Sequence, residues 1–196
     1  MNKSIAQKLE KLKQRDIQKR SQLISENRLY GAYDREMQKV HLKNAIALDK
    51  IVSEYGWTGI SLVGLQGCQT AWLIAQHSIC TPDLQRKFLE AMTEAAAKED
   101  VPKRQVAMLA DRIRFNEGRP QIYGTVLDWD KNGVSGCEIE DIDRVDLLRK
   151  EVGLPTLQEF IESNAKAVEA EGGKPPEDFV AYRQKFITWA KNVGWQ

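Results

Sequence analysis

Neither sign of charge dominates this sequence. Across 196 residues, 29 lysines and arginines face 28 aspartates and glutamates, for a formal net charge of +1. Duplex-binding proteins usually carry a marked basic excess on one face, so nucleic acid is not favoured as a partner. Long apolar runs are also missing: no 18 consecutive apolar residues occur, which excludes a membrane-spanning helix. The opening stretch MNKSIAQKLEKLKQRDIQKR is charged and helix-forming. It lacks the apolar core and small-residue cleavage site of a secretory signal, so a cytoplasmic protein is expected. Cysteine is scarce and odd in number, with Cys68, Cys80 and Cys137 in no C-x-x-C spacing. That fits reduced thiols better than a disulfide frame or a zinc site. Repeats and low-complexity segments are absent too, and the length suits one domain with a sizeable core.

The neutral sum hides an asymmetry. Residues 1–50 hold 12 basic and 6 acidic side chains, whereas the remainder holds 17 and 22. The basic end reads as a helical hairpin (residues 1–55), with Ile5, Leu9, Leu12 and Leu23 on one stripe and Met37, Val40, Leu48, Ile51 and Val52 on the second. Gly31 is the expected breaker between them. GWTGISLVGLQG (56–67) reads as an ordered loop and CQTAWLIAQHS as a buried helix. Helices are expected from Thr81-Pro82 to Ala97 and from Pro102 to Gly118. QIYGTVLDWD and VSGCEIE are β-prone runs around Asn132-Gly133, the usual hairpin signal. Helical spacing returns over 141–152, over 156–170 behind a capping box at Thr156 and Glu159, and after the GGKPP break. The expected fold is mainly α, a bundle-like single domain with one small β-hairpin: residues 56–140 form its core and 141–196 its C-terminal helices.

Four polar constellations interrupt this pattern. His77 closes the buried helix, where it is either a proton-transfer group or a capped core histidine. Asp111 and Arg112 are adjacent on a helix and point about 100° apart; Asp111 pairs with Arg114 or another cation, or Arg112 serves as an anion clamp. GRPQIYGT (118–125) is expected to put Gln121, Tyr123 and Thr125 on one strand face, reading a ligand or facing solvent. Asp16 continues the first hairpin stripe, while His41 and Asn44 fall on the second, so a buried network there would fix helix register or wall a site. DWDKNG resembles the start of a calcium loop, but its twelfth position is Ile139 where a bidentate Glu is required, which favours a plain turn.

In order along the chain, RDIQKR, NAIALDKIVSEYGW, SLVG, AWLIAQHS, PDLQRKFL, LADRI and GRPQIYGT together resemble the bacterial domain-of-unknown-function family 6624 over roughly residues 10–130. The resemblance implies motif positions at Asp16, Asn44, Gly56, Trp57, Gly64, Gln76, His77, Gln85, Asp111, Arg112, Gln121, Tyr123 and Gly124. It departs from the family pattern at His41, where an acidic residue is commoner, and at Val126, where a glutamine often follows YGT. A signature mixing Asp, His, Arg, Gln and Tyr around glycine turns suits a polar pocket.

The leading expectation is an intracellular enzyme or degenerate enzyme acting on a small anionic or nucleotide-like substrate, by hydrolysis or group transfer. His77 would be the acid or base, with Asp16 or Asp111 orienting it. Arg112, Arg119, Gln121, Tyr123, Gln76, His41 and Asn44 would bind ligand. No cofactor or metal set is signalled. The alternative is a non-catalytic protein-binding or regulatory module anchored by Trp129, Trp189 and Trp195.

Overall fold

A computed structural model describes the protein's residues other than 30–32 and 131–132. Among the described residues there are eight helices and one two-stranded antiparallel hairpin. The expected breaker Gly31 lies outside the described residues.

Helix α1 (Lys3–Ser25) opens on Asn2, whose side chain accepts from the Ile5 N–H. It buries Ile5, Leu9, Leu12, Asp16 and Leu23. Steps of three and four residues keep all five on one stripe, so the geometry that buries the leucines also buries Asp16. Asp34 caps α2 (Arg35–Tyr55) through the N–H groups of Glu36 and Met37, and α2 buries Met37, His41, Asn44 and Leu48 on its inner face. Both helices pack on α3 (Ile60–His77), the apolar centre of the bundle.

The loop expected over 56–67 is a helix from Ile60 onward, interrupted where Gly64 takes φ +75°. The reason is tertiary. Asp100, from the turn after α4 (Pro82–Ala96), offers its main-chain oxygen to Ile60 N–H and its carboxylate to Ser61 N–H and Oγ. A distant residue thus supplies the cap that the glycine-rich text lacks.

After α5 (Lys103–Asn116), the expected long strands shrink to β1 (Leu127–Asp130) and β2 (Gly133–Gly136), paired from Leu127↔Gly136 to Asp130↔Gly133. The Asn132 of the expected turn lies outside the described residues. The next helix, expected from 141, begins only at Val145 (α6, Val145–Glu151). The capping box at Thr156 opens α7 (Leu157–Ala170) as read from sequence. Helix α8 (Phe179–Val193) ends on Gly194 in the left-handed region, and Trp195 folds back into the core, its indole donating to Ile79 O at 2.7 Å.

Helix α4 reverses the chain between α3 and α5, which therefore run parallel. The Trp72 indole donates to Gln105 O at 3.1 Å, and Leu73 and Met108 line one shallow groove. His77 is the last residue of α3, and Arg112 lies about one turn before the end of α5.

Candidate functional site

Three helices converge on one carboxylate. Asp16 of α1 is 2% exposed, and its Oδ2 lies 2.8 Å from His77 Nδ1 of α3 and 3.3 Å from His41 Nε2 of α2. Behind His41, the hydroxyl of Tyr33 sits 2.7 Å from Nδ1. The two imidazoles are tilted against each other with centroids 5.1 Å apart, and Trp189 of α8 meets Tyr33 edge-on at 5.4 Å. His41 is buried, whereas the His77 side chain keeps 32% of its surface exposed. The cluster thus runs from a closed interior to an open rim.

Its electrostatics follow from that burial. Desolvation pushes the Asp16 carboxyl up, but the hydrogen bonds and positive charge of His41 and His77 outweigh it and hold Asp16 well below the usual carboxylate range. Burial pulls the His41 imidazole below its ordinary value, and Asp16 opposes it only partly. Burial, with Cys80 alongside, raises the Tyr33 phenol, which stays protonated. An ionised carboxylate can only accept, so His77 Nδ1 carries the hydrogen and a neutral His77 ring turns its Nε2 lone pair away from Asp16. By the same logic the His41 Nε2–H faces Asp16 and Nδ1 accepts from Tyr33. Asp16 Oδ1 and His41 Nε2 are both buried without a hydrogen-bond partner of good geometry.

The second polar region is built on Asp111. The carboxylate, fully buried, accepts from the N–H groups of Ile122 (2.8 Å), Tyr123 (3.2 Å) and Thr125 (2.9 Å) and from Thr125 Oγ1 (3.0 Å). These bonds wrap residues 121–126 around it and prevent the strand that alternation predicts, so Gln121, Tyr123 and Thr125 do not share a sheet face. Gln121 forms only an isolated bridge with Ile139, and its amide is spent on both main-chain groups of Val126. The pairing considered for Asp111 with Arg114 does not form either: Arg114 pairs with Glu140 and donates to Pro120 O. On the loop's other side, the buried Arg149 donates to the carbonyls of Tyr123, Gly124 and Pro155.

Arg112, next to Asp111, points elsewhere. It is half-buried in a cleft of about 270 Å³ lined also by Thr125, Asp128, Asn164, Val168 and Tyr182. Its buried Nε has no hydrogen-bond partner, and desolvation lowers the guanidinium's pKa. An ion pair from Arg20, one turn beyond Asp16 on α1, to Glu171 holds the end of α7 over this side of the bundle.

Of the remaining sequence candidates, Asn44 donates to Leu12 O at 3.0 Å and leaves Oδ1 buried and unpartnered. Gln76 is buried, its side-chain oxygen also unpartnered. Arg119 is exposed and pairs with Glu117. Sequence reasoning missed Tyr33, Cys80 and Arg149. Tyr33 and Cys80 stand outside the helical stripes. Arg149 stands on the short helix α6, where no sequence pattern marks a buried cation.

A family of unknown function, DUF6624, matches residues 5–171, a wider span than the quoted motifs cover. No curated protein and no solved structure matches the chain.

Proposed function

Because the chain belongs to DUF6624, a family of unknown function, its activity has to be argued from the site, and we propose an acid–base enzyme acting on a small anionic or nucleotide-like molecule. His77 is the proton-transfer group, Asp16 the carboxylate that orients it, and Arg112 the anion clamp. The observation that carries this reading is the 2.8 Å contact of His77 Nδ1 with a buried carboxylate, made by a ring that is still one-third exposed. A histidine held in this way offers Nε2 as a base and is stabilised as a cation once it has taken the proton. Arg112 supports the anionic class, since its planar fork has an unfilled donor and opens into a cleft, one that His77 does not line. Tyr123, Gln121 and Asp111 hold the loop that floors this cleft, with Thr125 lining it.

The protein-binding alternative loses one of its three anchors, since Trp195 is buried and covered by the Arg86 guanidinium at 5.0 Å.

The test is turnover of a panel of nucleotides, simple phosphate esters and carboxylate esters by the wild-type chain, His77→Gln, Asp16→Asn and Arg112→Met. We expect His77→Gln to lower kcat roughly 100-fold or more and Arg112→Met to act chiefly on KM. Turnover unaffected by His77→Gln, or none of the panel processed by the wild-type chain, rejects the enzyme reading.

A further inference from the structure

We propose that Asp16, His41 and His77 form a binding site for one divalent first-row transition-metal ion of the Zn²⁺ type. The inference goes beyond the acid–base reading of the same cluster: binding rests on the geometry alone and not on proton transfer by His77.

Each of the three residues offers one ligand atom, and these atoms lie within 4.8 Å of one another. Two neutral imidazoles and a carboxylate are the donor set that borderline divalent ions select. Around an ion with bonds of about 2.0–2.1 Å, a tetrahedral site places its ligand atoms roughly 3.3 Å apart. His41 Nε2 is already 3.3 Å from Asp16 Oδ2, His77 Nδ1, at 2.8 Å, needs to retreat by about half an ångström, and the two ring nitrogens, within 4.8 Å of each other, are close enough to be drawn onto one ion by rotation of the partly exposed His77. Two further observations point to a ligand. Asp16 Oδ1 is buried without a partner, and His41 Nε2, also buried, reaches Asp16 Oδ2 only at 3.3 Å and in poor hydrogen-bond geometry, so hydrogen bonds alone leave acceptor and donor capacity unused here. Behind the cluster, Tyr33 sits 2.7 Å from His41 Nδ1, where it would fix the orientation of a ligating ring from the second nitrogen. With only three protein ligands and a His77 side chain that is one-third exposed, a tetrahedral ion would keep its fourth position for water or a substrate, the ligand count of a reactive rather than a purely structural site.

Protons balance by tautomer shift. Coordination through His77 Nδ1 moves its hydrogen to Nε2, and coordination through His41 Nε2 moves that hydrogen to Nδ1, where the Tyr33 oxygen accepts it. No net proton is released from neutral rings, and His77 Nε2 changes from acceptor to donor. The ion therefore takes the place of the imidazole base.

The full chain, freed of metal with chelator, is titrated with Zn²⁺ by calorimetry and with Co²⁺ in the visible spectrum. The expected result is one equivalent bound, the intense d–d bands of a low-coordinate Co²⁺ ion, and a His77 that shifts from the Nδ1–H to the Nε2–H tautomer in long-range ¹H–¹⁵N spectra. Asp16→Asn and His41→Asn should weaken binding roughly 100-fold or more. Because both positions are buried, His77→Gln, at a side chain one-third exposed, serves as the variant least prone to misfolding. Absence of saturable binding, a Co²⁺ spectrum of the hydrated ion, or wild-type affinity in His77→Gln overturns the metal site. His77-dependent turnover that persists in chelator leaves the acid–base reading standing whatever the titration shows, whereas a metal complex without such turnover removes the acid–base reading alone.

Discussion

At the scale of single residues, the buried polar groups divide by what occupies their valences. Both oxygens of Asp111 are filled by main-chain and hydroxyl donors from one loop, so it acts as a folding anchor. Asp111→Asn puts an amide N–H₂ against those donors, and a loss of about 3 kcal/mol in urea unfolding is expected. Asp16 instead faces two imidazoles and retains an unused oxygen, which ties stability to pH. Its native pKa lies below that of the unfolded chain, so its contribution is present above about pH 4 and disappears as pH falls below that. His41 is also depressed when folded, so the unfolded chain binds more protons below about pH 6.5 and stability falls as the solution is acidified through that value. Urea midpoints measured from pH 8 to 3 should therefore decline in two stages, and His41→Asn should remove the upper one. A midpoint that rises between pH 7 and 5 contradicts this sign.

At the scale of elements, the GRPQIYGT turn and the start of α3 show how local sequence is overruled by a partner far along the chain. Gly124 sits at φ +65°, and a Cβ there would meet Ile139 Cδ1 at 2.7 Å and Leu157 Cδ1 at 2.9 Å. Gly124→Ala should cost about 2 kcal/mol from the left-handed backbone alone, with more from the clash, and should release the loop that carries Thr125 into the Arg112 cleft. Limited proteolysis or hydrogen exchange at residues 121–126 reads this directly. Asp100→Ala should remove about 1 kcal/mol by uncapping α3, and fraying confined to residues 60–64 in amide exchange is its signature. The helices with strong stripes and their own caps, α1, α2 and α7, match the periodicity read from sequence. The misread elements depend on Asp100, Asp111 and Arg149, whose roles exist only once the chain is folded.

At the scale of the molecule, the charge asymmetry contributes less than its size suggests. The positive hairpin meets the negative remainder chiefly through the apolar stripes of α1, α2 and α3; among the described residues an ion pair of the expected polarity runs from Arg20 to Glu171 near the surface, and Lys87 with Asp49 joins the halves in the opposite sense. Glu171→Gln should change stability by less than about 1 kcal/mol, and the difference should vanish in high salt. A larger, salt-insensitive effect would mean that this pair, not packing, docks α7. The sequence by itself determined which side chains of α1 and α2 are turned inward, because helical period alone puts Asp16 among leucines and His41 and Asn44 on the buried face of α2. Only the tertiary structure decided which of them meet. Residues 16, 41 and 77 come from three helices, and no spacing along one chain encodes the crossing that brings their ligand atoms together around a single buried oxygen.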